Sequence, residues 1–191
     1  MPATLARPDT ARKAKVLRAL LDPASWGGNT ADAADLHPQS GPWDAGTPTA
    51  PAARLSIGEA VSRVFRATNG GVHPGDFALV VGPGLAIRAG HSPEIEAYLA
   101  DSPWLLHPSV RNRRWGLPDT LFSVPVVVEL GVRLDASGGG TVPEMPDGCA
   151  LLLCREGVTD DELRTDEGMS RVYEPAALRR AAGFLITKCL G

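Results

Sequence analysis

Three cysteines in 191 residues are too few for a disulfide framework. Cys149 and Cys154 lie five apart on a predicted strand, so they face opposite sides. Reduced, buried thiols in a cytoplasmic product are expected. No apolar run approaches the roughly 20 residues that cross a bilayer, so no membrane partner is expected. Residues 1–18 are basic and alanine-rich but lack the apolar core of a signal peptide. Charge of one sign is also missing. The formal net charge is −3, which provides no concentrated positive field for a polyphosphate. Lysine is rare beside arginine, a bias without structural weight.

Chemical signatures are equally sparse. No Gly-Lys-Ser/Thr marks a Walker loop, and no Gly-x-Ser-x-Gly marks a nucleophile elbow. His37, His73, His91 and His107 are scattered without metal-ligand spacing, each near a proline, and read as solvated loop residues. No cysteine has a histidine placed to activate it. Catalytic, cofactor-binding and metal-binding residues are therefore all expected to be none, and the chain is not expected to be an enzyme.

What the chain does have is glycine and proline, 21 and 17 residues, about a fifth of the total, so much loop is expected. It is long enough for one domain with a proper core, or two subdomains. Asp9 or Thr10 can cap a helix over Ala11–Leu21, which Asp22-Pro23 ends. Trp26 to Pro51 is rich in Gly, Pro, Asp and Thr and is predicted to be a loop or arm, with Trp26 and Trp43 anchoring it to the body.

The organising stretch is Ser56–Leu130. Ser56-Ile57-Gly58-Glu59 reads as a capping box. Ile57, Ala60, Val61, Val64 and Phe65 then form one apolar helix face. Asn69-Gly70-Gly71 is expected to stop that helix. Phe77–Val81 reads as a buried strand. Gly82-Pro83-Gly84 turns into a helix over Leu85–Ala89, and Ser92-Pro93-Glu94 opens another. Val124–Leu130 is a β-branched strand. Val132–Leu134, a flexible turn at Asp135–Gly140 and the apolar strand Cys149–Cys154 follow. Thr159–Glu167 is acidic and exposed. Ala176–Ala181 favours helix, whereas Gly183–Thr187 favours strand.

Two constellations invite function. Gly82-Pro83-Gly84 places G-x-G between strand and helix, where a dinucleotide pyrophosphate would sit. However, Ile87 occupies the third glycine position and Pro83 removes an N–H. No parallel βαβ unit with a suitably spaced acidic residue is expected to follow, so a tight turn is the preferred reading. Arg111, Arg113, Arg114 and Trp115 form a basic-aromatic spot. It suits phosphate and base stacking, or an acidic patch such as Asp160–Glu162 on another copy. A solvated loop is the plainest reading.

The order of segments resembles a known family. Asp22-Pro23-Ala24-Ser25-Trp26, Gly71-Val72-His73-Pro74, Leu79-Val80-Val81 and Ser92-Pro93-Glu94-Ile95 come first. Leu121-Phe122-Ser123-Val124-Pro125-Val126-Val127-Val128, Cys149–Leu153 and Gly183-Phe184-Leu185-Ile186-Thr187 follow. Together they resemble the major capsid proteins of tailed bacteriophages, whose HK97-like fold is shared with encapsulin nanocompartments. The resemblance implies an α+β fold with an axial domain, a central mixed β-sheet flanked by helices, and a partial peripheral domain truncated at its N-terminus. It implies a remnant of spine helix and loop over 1–51, the axial domain over 52–155 and a return segment over 156–191, with strand from Gly183 on.

By function, the resemblance implies a major capsid protein, a shell subunit that self-assembles into pentamers and hexamers of a virion. Scaffold, portal or decoration proteins would be its further partners. Packaged nucleic acid would be touched only non-specifically, and assembly would take place in the host cytoplasm. An encapsulin-type nanocompartment shell protein is the alternative, and a small α/β nucleotide-binding enzyme a more distant one.

Overall fold

Alternation of apolar residues builds the centre of the molecule. In the computed structural model of the chain, which describes residues 15–67, 76–102, 115–134, 140–154 and 183–191, the apolar runs become strands of one mixed sheet. Eight strands occur among the described residues: β1 (Thr30–Asp32), β2 (Phe77–Val81), β3 (Thr120–Leu121), β4 (Val124–Val128), β5 (Val132–Leu134), β6 (Thr141–Pro143), β7 (Ala150–Cys154) and β8 (Gly183–Thr187). Five helices accompany them: α1 over 15–20, α2 (Ala33–Leu36), α3 (Ala53–Ala67), α4 (Pro83–Gly90) and α5 (Pro93–Ala100).

Six strands form the main sheet in the order β1-β8-β7-β2-β4-β3, while β5 and β6 make a separate antiparallel hairpin. The pairs β1·β8 and β2·β4 are parallel, and the remaining pairs are antiparallel. Strands from residues 1–51, 52–155 and 156–191 thus share one sheet. The period-2 alternation of strand side chains gives the sheet two buried faces. Leu79, Val81, Val126, Leu152, Phe184 and Ile186 face α2 to α5. Leu151 and Leu185 face Leu17 and Leu20 of α1 and the ring of Trp26. The fold is accordingly α+β with a central mixed sheet flanked by helices.

Several expectations hold. Phe77–Val81, Val124–Val128, Ala150–Cys154 and Gly183–Thr187 are strands, and Pro83–Gly90 and Pro93–Ala100 are helices. Ser92 caps α5, accepting from the Ile95 N–H at 3.4 Å, with Pro93 in its first turn. Both tryptophans are buried anchors, Trp26 at 6% and Trp43 at 0% exposure. Trp26 Nε1 donates to the Leu20 carbonyl at 2.7 Å. The Trp43 N–H donates to the Cys189 carbonyl at 2.6 Å. Cys154 packs in one core cluster and Cys149 against the other, on opposite faces as expected, and all three cysteines are free thiols.

Other expectations are corrected. The capping box is not used. Helix α3 begins at Ala53, one turn before the predicted start, and Ser56 is buried inside it. Ser56 Oγ donates back to the Ala52 carbonyl at 2.7 Å, the i−4 bond typical of a mid-helix serine. Glu59, cast as the reciprocal cap, instead accepts from Arg63 Nε at 3.0 Å and Arg66 Nη2 at 2.8 Å. The real cap comes from a distance. Glu94 on α5 accepts from the backbone N–H groups of Ala52, Ala53 and Arg54 at 2.8, 3.0 and 2.9 Å. A carboxylate satisfying three otherwise orphaned donors at a helix N-terminus outweighs a local hydroxyl that can serve one.

The stretch from Trp26 to Pro51 is not merely a loop. It holds β1, α2 and a 3-10 turn at Trp43–Ala45. Phe65, expected on the buried face of α3, is 46% exposed, while Ile57, Ala60 and Val64 are buried. A parallel β-α-β unit does follow Gly82, since β2 and β4 are parallel neighbours with α4 and α5 between them. Asn69-Gly70-Gly71, Asp135–Ser137, Thr159–Glu167 and Ala176–Ala181 lie outside the described residues.

Candidate functional site

The Gly82-Pro83-Gly84 turn lies where a phosphate cradle would be, at the C-terminal end of a parallel strand pair and the start of α4. Its surroundings close it. A Cβ on Gly82 would lie 2.7 Å from the Met145 carbonyl oxygen, and one on Gly84 would run into the Asp147 carboxylate. The glycines therefore admit the chain at 145–147, not a ligand. An acidic side chain over the helix start further opposes an incoming anion. Nearby, the Glu129 N–H donates to the Val81 carbonyl at 2.8 Å, and Glu129 Oε1 accepts from the Gly131 N–H at 2.7 Å. The first contact ties the end of β4 to the end of β2, and the second ties it to the bend leading into β5. The tight-turn reading fits this geometry.

The titratable groups point the same way. Burial pushes the Cys149 and Cys189 thiols up, Cys189 well above 9.0, the opposite of an activated nucleophile. His91 Nδ1 lies 3.8 Å from Glu96 Oε1 on the surface. His37 ends α2, where its Nδ1 accepts from the Gln39 N–H at 3.2 Å. His73 and His107 lie outside the described residues, as do Arg111, Arg113, Arg114 and Asp160–Glu162. Of the basic-aromatic spot only Trp115 is described, half-buried against the main core. Among the described residues no group of three or more His, Cys, Asp or Glu could hold a metal ion. No described helix is long and apolar enough to cross a membrane.

Surfaces carry more information than clefts. Val127, Leu130 and Val132 are 48%, 45% and 58% exposed. They fall within six residues at the end of β4 and the start of β5. Val127 points away from the buried face occupied by Val124 and Val126, because strand side chains alternate. Exposed apolar side chains concentrated in so short a span mark a contact surface more often than scattered ones do. The exposed Ile87 on α4 and Phe65 on α3 stand apart in sequence.

A half-open cavity of about 490 Å³ lies between α3, α5 and the turn joining β3 to β4, lined by Arg54, Ile57, Val61, Tyr98, Phe122 and Val124 among others. Sequence reasoning missed it, because its walls come from three separated segments. The visible clue was Phe122-Ser123 between two strands, where a two-residue hairpin turn favours Asn-Gly.

No family model, curated protein or solved structure matches this chain.

Proposed function

We propose that the chain is a structural shell subunit: a major capsid protein of the HK97-like class that assembles with copies of itself. The observation that carries the reading is the order of the elements. The motif-bearing segments around Leu79, Ile95, Val126, Leu151 and Leu185 form strands and a helix of one mixed α+β body. The resemblance requires them in that order. Exposed Val127, Leu130 and Val132 supply an apolar contact surface, which head-to-tail, ring-closing contacts need. The crowding at Gly82 and Gly84 favours this reading over a nucleotide-binding enzyme.

On this reading the working partners are other copies in rings of five or six. Scaffold, portal or decoration proteins would bind the assembled surface, nucleic acid would meet its inside non-specifically, and the virion would be its destination. An encapsulin-type nanocompartment uses the same subunit chemistry around a different cargo. Size-exclusion chromatography and negative-stain microscopy test the proposal. Rings, shells or discrete oligomers are expected as concentration rises; a monomer at every concentration and salt overturns it.

A further inference from the structure

We propose that the cavity between α3, α5 and the β3–β4 turn binds a small molecule with a flat apolar body and one carboxylate, of the arylalkanoic acid class. The inference goes beyond the shell reading and does not rest on it. The cavity volume of about 490 Å³ lies within the range of about 300–1,000 Å³ typical of small-molecule sites. Its lining mixes apolar and polar surface, the apolar share being the larger.

Ile57 and Val61 from α3 and Val124 from β4 provide the aliphatic wall. Tyr98 and Phe122 provide an aromatic corner, with ring centroids 4.8 Å apart and planes at 55°. A planar group can stack against such a pair. Phe122 sits there at a conformational cost. Phe122 and Ser123 have φ of +51° and +69°, a left-handed conformation that side chains disfavour. An Asn-Gly turn would relieve that strain but would place no ring over Tyr98. Gly58 also lines the cavity, and a Cβ there would meet no atom within 4 Å, so the space in front of it is open.

Arg54 supplies the charge preference. Among the described lining residues it is the one charged residue, and none of them is acidic. Its backbone N–H is taken by Glu94, whose buried carboxylate is committed to three such donors. Arg54 is an exposed residue, and among the described residues no carboxylate forms an ion pair with it. A guanidinium fork matches a carboxylate in bidentate geometry. Electrostatic complementarity therefore selects an acid over its neutral analogue.

The test is an NMR chemical-shift titration of the full chain with 3-phenylpropionate and with 3-phenylpropionamide. The acid should bind saturably, and the amide about tenfold more weakly, the loss of one charge-assisted contact. Arg54→Gln should bring the acid down to the level of the amide. Arg18→Gln, an exposed cation elsewhere, should change nothing. Gly58→Leu should abolish binding of both compounds, with circular dichroism reporting an intact fold. Equal affinity for acid and amide, no saturation up to about 10 mM, or unchanged binding in folded Gly58→Leu would each overturn the proposal.

Discussion

Glu94 fixes the meeting of two helices with a single side chain. It is 4% exposed and accepts three backbone N–H bonds from residues 40 to 42 positions upstream. Glu94→Ala leaves those donors buried without a partner and should cost about 2–3 kcal/mol in a urea unfolding experiment. Glu94→Gln keeps an acceptor oxygen and should cost less. The two tryptophans differ in the same way. Trp26 Nε1 has the Leu20 carbonyl, whereas buried Trp43 Nε1 has no acceptor among the described residues. Trp26→Phe should therefore lower the melting temperature more than Trp43→Phe does, because only the former breaks a buried hydrogen bond. At the surface, Lys188 Nζ and Thr187 Oγ1 donate to Asp32 at 2.5 and 2.6 Å and hold its carboxyl below the ordinary 3.8. The Asp32 carboxylate in turn raises Lys188 above 10.5. The contribution of Asp32 is complete above its unfolded value and lost as pH falls through its lower folded value. That of Lys188 is complete below its unfolded value and lost as pH rises through its higher folded one. Lys188→Met should return the Asp32 carboxyl toward 3.8 in a carbon-detected NMR titration.

At the level of elements, apolar runs were legible and long-range partners were not. β2, β4, β7 and β8 announce themselves as Val- and Leu-rich segments, and Ser92-Pro93 announces α5, because each signal lies within the segment itself. β1 does not. Thr30-Ala31-Asp32 carries little strand propensity and exists through parallel pairing with Leu185–Thr187, about 155 residues away. The start of α3 was misplaced for a related reason, since its capping carboxylate belongs to another helix. The cavity shares that difficulty, its lining being distributed over α3, α5 and a hairpin turn. Close packing of β8 gives the element-scale prediction. A Cβ on Gly183 would lie 2.8 Å from the Leu152 carbonyl and 2.5 Å from the Trp26 ring. Gly183→Ala should push β8 off β7 and Trp26, an overpacking cost of about 1–3 kcal/mol visible as an earlier thermal transition.

For the whole molecule, fold and contact surface are separable. Val127 and Val132 are exposed, so on the proposed shell reading replacing both with Asp should leave the circular dichroism spectrum unchanged while shifting the size-exclusion profile toward monomer. An unshifted profile would remove this surface from the assembly. The position of β8 also constrains synthesis. It is the last described strand in the chain, yet it lies inside the sheet between β1 and β7. While the chain emerges from the ribosome, at about 5–20 residues per second, β1 has no strand to join and β7 keeps one edge open. Completion of the sheet must wait for Gly183–Thr187. The nascent polypeptide is thus exposed to wrong edge pairing with its neighbours until translation nears this strand, and a stalled or clipped product would retain that hazard.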